Sequence, residues 1–124
     1  MIYAIGFDGV IATGRGASLA FMPDAESGLR ALLKARHEVI VWTARMGPSA
    51  SAAERAEVYT LLGELLAKYG PDLRVATAET DGPKPLADLY VDEKAVRFAR
   101  ANYPGAGVTW STLVSATTGG KRGR

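Results

Sequence analysis

The chain has 124 residues, of which 48% are hydrophobic and 23% charged, a composition typical of one globular domain with its own core. With no cysteine and one histidine, it cannot form disulfides or thiolate metal sites, and any bound metal should be a hard cation held by oxygen atoms. The net charge of +2 comes from Lys121, Arg122 and Arg124. Without them 12 basic residues face 13 acidic ones, a balance of −1, so no folded nucleic-acid surface is indicated.

No apolar run approaches the roughly 20 residues of a transmembrane helix, and no signal peptide is visible. We therefore expect a cytoplasmic protein with no membrane partner. Residues 118–124 are rich in glycine and basic residues and contain nothing apolar to bury. The sequence thus predicts a domain over residues 1–117 and a disordered basic tail over 118–124, which would be the sole contact for any nucleic acid.

The first predicted element is a strand over residues 2–8, where a short apolar run stops abruptly at glycine and aspartate. This pattern is typical of a buried parallel strand that ends in a tight turn. Ligands of open α/β sheets bind beyond the carboxyl ends of such strands. Asp8 would then lie at the floor of a site, the alternative being an Asp-Gly turn without chemistry.

Helices and strands then alternate along the chain. Residues 13–18 are predicted as a loop, and they lack the Gly-Lys-Ser/Thr ending of a phosphate-binding P-loop. A helix is predicted from an N-cap at Asp24 to about His37, followed by a strand over residues 39–42. The spacing of Ser51 and Glu54 indicates a capping box that starts a long helix. An apolar stripe at helical spacing marks its core-facing side: Val58, Leu61, Leu62, Leu65, Leu66 and Tyr69.

The second half of the chain continues the alternation. We predict strands over 73–76 and 87–91, joined by a polar loop through 82–85, then a helix over 94–102. A fifth strand over 108–110 and a last helix over 111–117 complete the pattern, and both tryptophans are expected in the core. Alternating strands and helices predict an α/β, Rossmann-like three-layer fold with a mostly parallel central sheet and no large cap.

Four polar residues stand just beyond strand ends or in an adjoining loop: Asp8, Thr43, Lys84 and Asp92. Because parallel strands end at one edge of the sheet, these side chains can converge. Two acids, a hydroxyl and a cation suit Mg²⁺ and a phosphoryl group: carboxylates hold the metal, while the lysine and the hydroxyl take the remaining charge. A solvated loop lysine is the alternative for Lys84.

Four stretches in this order resemble the motifs of the haloacid dehalogenase superfamily of phosphatases: IGFDGVI (5–11), VWTAR (41–45), PKP (83–85) and ADLYVDEKA (87–95). The likeness is greatest to small, capless phage-type and bacterial members. It implies a Mg²⁺-dependent phosphomonoester hydrolase. Asp8 matches the general acid/base, whose backbone carbonyl also binds Mg²⁺; Thr43 matches the hydroxyl that holds the phosphoryl group; and Lys84 matches the third-motif cation.

The same resemblance implies the remaining site residues. Asp92 matches the fourth-motif metal ligand, and Glu93 stands where a second aspartate is common. Arg45 would contact the substrate phosphate, or else be a surface residue. The family's nucleophile, an aspartate that also binds Mg²⁺, is replaced here by Gly6.

Glycine can neither attack phosphorus nor hold a metal, so the sequence leaves two main hypotheses. One is a phosphatase scaffold impaired at Gly6, and the other is a non-catalytic domain that binds phosphate, Mg²⁺ or a partner. A receiver-type signalling domain is less favoured, because receivers place their paired acids first and their lysine last, whereas here Lys84 precedes Asp92 and Glu93.

Overall fold

The structure, a computed structural model, describes residues 1–82, 85–92, 110 and 114. Nine helices and strands lie in the described part of the chain, with two short 3₁₀ turns at Gly16–Ser18 and Ala44–Met46. In chain order they are β1 (Ile2–Gly6), β2 (Ala12–Thr13), β3 (Ala20–Phe21), α1 (Ala25–Lys34), β4 (Glu38–Trp42), α2 (Ala52–Tyr69), β5 (Leu73–Val75), α3 (Ala78–Asp81) and β6 (Leu89–Val91).

Four strands form a parallel sheet in the order β5-β4-β1-β6. The chain runs outward from β1 to β4 and β5, and β6 then pairs with the opposite side of β1. The strand order therefore reverses between β1 and β6. A crevice opens beyond the carboxyl ends of the strands at such a switch point, and it is the usual ligand site of an open α/β sheet.

The main core lies on one face of this sheet. Both β1–α1–β4 and β4–α2–β5 cross over in the same direction, so the right-handed rule puts α1 and α2 on the same face. The inward side chains of strands and helices form one buried cluster there. Its principal members are Tyr3, Ile5, Leu29, Leu32, Val39, Val41, Val58, Leu62, Leu65, Leu73 and Val91.

On the opposite face of the sheet β1 presents Ile2 and then two small residues, Ala4 and Gly6. The register pairs Ala4 with Tyr90 and Gly6 with Trp42. Across these small residues the rings of Trp42 and Tyr90 meet edge to face, with centroids 6.2 Å apart and planes at 71°. Small residues on the central strand thus let two aromatic side chains from its neighbours meet over it.

The predicted fold class is confirmed: the molecule is an α/β protein whose central sheet is parallel, with a Rossmann-like three-layer arrangement. The capping box of α2 is also confirmed, since Ser51 Oγ accepts from the Glu54 N–H at 3.1 Å and the Glu54 carboxylate accepts from the Ser51 N–H at 2.8 Å. Among the described helices none is both long and apolar enough to cross a bilayer.

The boundaries of α1 differ from the prediction. Asp24 holds the N-cap position with φ of 64°, and its side chain makes no capping hydrogen bond. The helix ends at Lys34, before His37, because Arg36 takes a left-handed φ of 71°. The His37 N–H then donates to the Leu32 carbonyl and the Arg36 N–H to the Leu33 carbonyl, which is the Schellman arrangement that normally uses glycine.

Sequence reasoning also missed a hairpin and a short helix. The predicted loop 13–18 contains the tip of an antiparallel β2–β3 pair, whose two-residue strands are too short to show periodicity. The helix α3 precedes the loop predicted through 82–85, and β6 begins at Leu89, two residues later than expected. Trp110 is helical and not in a strand. The predicted helix 94–102 and the tail 118–124 lie outside the described residues.

Trp110 is in the core, as predicted, and only 1% exposed. Its indole N–H donates to the Val10 carbonyl at 2.7 Å, which connects the C-terminal part of the chain to the turn after β1. On α1 a glycine makes room for the ring: a Cβ added at Gly28 would lie 2.4 Å from Trp110 Cε3. The close contact between α1 and the Trp110 ring depends on the absence of a side chain at Gly28.

Replacing Gly28 with alanine should therefore lower the free energy of unfolding by about 1–3 kcal/mol, because the new methyl group overlaps the indole. The matched control is Gly63→Ala in α2, where an added Cβ meets nothing within 4 Å. That change should stabilise the protein by about 0.4–1 kcal/mol through helix propensity and the unfolded-state entropy. Urea denaturation of both variants measures the difference, and equal stabilities would contradict the proposed Trp110 contact.

Candidate functional site

A cleft of about 700 Å³ opens at the carboxyl ends of β1, β4 and β5 and reaches the first residue after β6. It includes the switch point of the sheet. Residues at the ends of the strands and in the segments that follow them line the cleft: Gly6, Phe7, Asp8, Trp42, Thr43, Ala44, Met46, Gly47, Pro48, Ser49, Ala76, Thr77, Gly82 and Asp92. The structure therefore brings Asp8, Thr43 and Asp92 to one cleft, as predicted from the order of the strands. Lys84 and Glu93 lie outside the described residues.

The turn after β1 places Asp8 at the cleft. The Phe7 carbonyl accepts hydrogen bonds from the N–H groups of Ile11 at 2.9 Å and Ala12 at 2.8 Å, so the chain folds back at once. Gly9 has φ of 84°, a conformation that glycine adopts without strain. The Asp8 side chain is 51% exposed, which leaves it accessible from the cleft.

Thr43 begins a 3₁₀ turn directly after β4. Its Oγ1 accepts a hydrogen bond from the Arg45 N–H at 3.1 Å, which fixes the side chain at the cap of that turn. A hydroxyl that accepts through one lone pair still has its proton to donate. Thr43 can therefore offer a hydrogen bond to an anion in the cleft.

Arg45 is buried, with only 4% of its side chain exposed, so the alternative of a surface arginine is wrong. Its Nε donates to both carboxylate oxygens of Asp8, at 3.1 and 3.0 Å, and its Nη2 donates to Asp8 Oδ1 at 2.7 Å. Nη2 also donates to the Gly14 carbonyl at 3.3 Å, and Nη1 donates to Glu57. These bonds use four of the five guanidinium N–H groups. A contact between Arg45 and a substrate phosphate stays a prediction.

Glu57, on α2, completes this network. One carboxylate oxygen accepts from Arg45, and the other accepts from the Gly16 N–H at 2.8 Å, at the tip of the hairpin. The Arg45 guanidinium carbon also lies 5.4 Å from the centre of the Phe7 ring. The hydrogen bond to Asp8, with the nearby charges of Asp8 and Glu57, raises the pKa of Arg45 above its ordinary value despite burial. Asp8, Arg45, Glu57 and Gly16 thus form a continuous chain from the cleft to the hairpin.

Gly6 and Asp92 are close neighbours at the switch point. A Cβ added at Gly6 would lie 3.3 Å from Asp92 Cβ and 3.5 Å from the Val91 carbonyl oxygen. Gly6 belongs to β1 and has no left-handed φ, so its backbone can carry a side chain. An aspartate at position 6 would stand beside Asp92 after a shift of a few tenths of an ångström.

The donors at this point fit Mg²⁺ only weakly. The Asp92 carboxylate and the Asp8 carbonyl are oxygen donors, which is the right chemistry for a hard cation. The carboxylate of Asp8 is engaged by Arg45. No three histidine, aspartate or glutamate side chains are grouped to hold a metal ion within the described ranges 1–82 and 85–92. Mg²⁺ here would depend on additional oxygens from a phosphate ligand.

One wall of the cleft is held by an ion pair between β5 and α3. Arg74 donates to both carboxylate oxygens of Asp81, at 3.0 and 2.9 Å, and the Thr77 N–H donates to Asp81 Oδ2 at 3.3 Å. The Arg74 guanidinium and the Thr80 hydroxyl lower the pKa of Asp81 to about 2. These bonds fix α3 against β5, and so position Thr77 and Gly82 in the cleft wall.

Two residues of the site were not found by sequence reasoning. Trp42 was expected in the core, yet it lines the cleft and is partly exposed. Glu57 looks like any acidic residue on the polar face of a helix. Its partners are distant in sequence, at Arg45 and Gly16, so no local pattern marks it.

No protein-family model matches the chain, and no curated protein matches it in sequence. Among solved structures it is similar to a conserved protein from Bacteroides thetaiotaomicron, with a TM-score of 0.59 and 19% sequence identity. The alignment covers 100% of this chain and 92% of that one. At this identity the likeness shows the fold, and it supports the three-layer α/β architecture described above.

Replacing Glu57 with glutamine should destabilise the protein by about 1–2 kcal/mol, because the buried Arg45 loses one of its two counter-charges. Glu64→Gln, on the exposed side of the same helix, is the matched control and should change stability by less than about 0.5 kcal/mol. Chemical denaturation followed by circular dichroism gives both values. A loss no larger than that of the control would show that the Arg45–Glu57 pair adds nothing to stability.

The Asp81 pair should stabilise the fold in a pH-dependent manner. Because the native pKa is about 2, below the ordinary value of 3.8, the contribution is complete above that ordinary value and is lost as the pH falls through about 2. Asp81→Asn should cost about 1 kcal/mol near neutral pH, a modest figure because Arg74 is partly exposed. The stability difference between wild type and variant, measured from pH 7 to pH 2, should shrink towards the acid end; a constant difference would exclude the ionic contribution.

Proposed function

We propose that the cleft binds a phosphoryl group together with Mg²⁺, in the manner of a haloacid dehalogenase-like domain that has lost its nucleophile. The observation that carries the proposal is the convergence of Asp8, Thr43 and Asp92 at one cleft, with Gly6 at the point where that family places its attacking aspartate. The likeness of the sequence motifs and the topological switch point beside Gly6 support it.

Each described residue has a chemical part in this proposal. The Thr43 hydroxyl donates to a phosphoryl oxygen, and Asp92 with the Asp8 carbonyl holds the cation. Mg²⁺, when bound, neutralises charge on the phosphoryl oxygens. The described lining contains the carboxylates of Asp8 and Asp92 and no lysine or arginine, so an anion needs that cation to enter. Lys84, by resemblance, would supply a second positive charge.

The network below the cleft orients the carboxylate of Asp8. In the proposed family reaction a carboxylate oxygen at position 6 attacks phosphorus, and the ester oxygen leaves with a proton from Asp8. Water then hydrolyses the aspartyl phosphate. Arg45 donates hydrogen bonds to both carboxylate oxygens of Asp8, which fixes the orientation of that carboxylate.

Gly6 removes the first step of that sequence. With no side chain at position 6, no covalent intermediate forms and one metal ligand of the family is missing, while the Thr43 hydroxyl and the Asp92 carboxylate are still present. Loss of a nucleophile removes most of the rate acceleration of an enzyme. We therefore infer a domain that binds phosphorylated ligands and hydrolyses them slowly or not at all.

Gly6→Asp should create Mg²⁺-dependent phosphatase activity, because the added carboxylate lies beside Asp92 and near Asp8 and Thr43. Hydrolysis of a small aryl phosphate should rise by at least about a hundredfold over wild type. The control is the double variant Gly6→Asp with Asp8→Asn, which should fall back to the wild-type rate. A folded Gly6→Asp protein that remains inert on a broad panel of phosphates would contradict the enzymatic ancestry of the site.

Binding is tested separately on the wild-type chain by calorimetric titration with inorganic phosphate, with and without Mg²⁺. Binding should require the cation and should weaken at least tenfold in Asp92→Asn. The matched control is Asp72→Asn, an exposed aspartate that precedes β5 at the opposite edge of the sheet. A phosphate affinity that is the same with and without Mg²⁺, and the same in Asp92→Asn as in wild type, would overturn the proposal.

A further inference from the structure

The cleft is much larger than the phosphoryl site at its base. Its volume of about 700 Å³ falls within the range of pockets that hold whole small-molecule ligands. The polar groups Asp8, Thr43 and Asp92 lie at the strand ends. The rest of the described lining is largely apolar, so the cleft has room and apolar surface for an organic group attached to the phosphate.

Trp42 dominates the apolar part. It immediately precedes Thr43 at the end of β4, and both residues line the cleft. It is also the register partner of Gly6, on the same face of the sheet. Since Gly6 has no side chain, nothing from β1 separates the indole from the base of the cleft. Met46 and Pro48 continue the apolar wall.

The ring is held in place by Tyr90. Trp42 packs edge to face with Tyr90, whose hydroxyl donates to the Pro85 carbonyl at 2.6 Å and accepts from the Ala87 N–H at 3.2 Å. An aromatic side chain fixed in this way offers a preformed surface at little entropic cost on binding. Such surfaces bind planar aromatic groups by stacking, and every nucleobase has a suitable face.

We propose that the ligand is a phosphate ester that carries a planar aromatic group, of the kind a nucleotide provides, packed against Trp42 with its phosphate at Thr43. This inference rests on the proposed phosphoryl site and adds the chemical class of the organic part. Replacement of the nucleophile by Gly6 then has a second effect, because it opens the base of the cleft beside the indole.

The test uses the full chain with Mg²⁺ and three probes in calorimetric titrations: adenosine 5′-monophosphate, ribose 5-phosphate and adenosine. The nucleotide should bind about tenfold or more tightly than ribose 5-phosphate, because stacking of one base contributes about that much. It should also bind at least tenfold more tightly than adenosine. Trp42→Leu should weaken the nucleotide about tenfold and ribose 5-phosphate less than twofold, while Trp42→Phe should retain most of the nucleotide affinity.

The control for loss of an aromatic side chain is Tyr59→Leu, at an exposed position of α2 away from the cleft, which should change neither affinity. Equal wild-type affinities for the nucleotide and ribose 5-phosphate would overturn this inference and leave the phosphoryl site standing. So would an equal weakening of both by Trp42→Leu, which would mean that the indole only shapes the cleft. Failure of both phosphates to bind would overturn the phosphoryl site and this inference together. Adenosine binding as tightly as the nucleotide would show an apolar pocket without a phosphate site.

Discussion

The buried guanidinium of Arg45 is the interaction on which the rest of the site depends. A charge that is 96% removed from solvent is tolerable only when its donors are paired. Asp8 and Glu57 supply the opposite charges and Gly14 supplies a carbonyl. These partners belong to the turn after β1, to α2 and to the hairpin, so one side chain holds together four segments that are separate in sequence.

This arrangement explains why a half-exposed aspartate can be rigid. Asp8 would be a mobile side chain on a turn if it faced only water, but three hydrogen bonds from Arg45 determine its orientation. Glu57 orients Arg45 in the same way and also holds the hairpin tip through Gly16. The side chains of such a site are already oriented before a ligand binds, which reduces the entropic cost of binding.

The sheet contributes a second constraint through the small residues of its central strand. Because the side chain of Ala4 is a methyl group and Gly6 has none, the rings of Trp42 and Tyr90 can meet across this face of β1. Trp42 also borders the cleft. Gly6, the register partner of Trp42, lies beside the indole on this face. Under our proposal, loss of one chemical function and gain of an apolar binding surface follow from the same absent side chain.

The local pattern of the sequence was enough to predict the order of most strands and helices, because buried strands and amphipathic helices carry their own periodicity. The capping box at Ser51 and Glu54 and the convergence of Asp8, Thr43 and Asp92 were predictable for similar reasons, since parallel strands must end at one edge. The two-residue strands of the hairpin, the Schellman end at Arg36 and the four-residue helix α3 are too short for any period to show.

The position of Arg45 under Asp8, the part played by Glu57 and the exposure of Trp42 to the cleft were decided by tertiary structure alone. Each depends on partners 12 to 48 residues away, whose distance in space is set by how the layers pack.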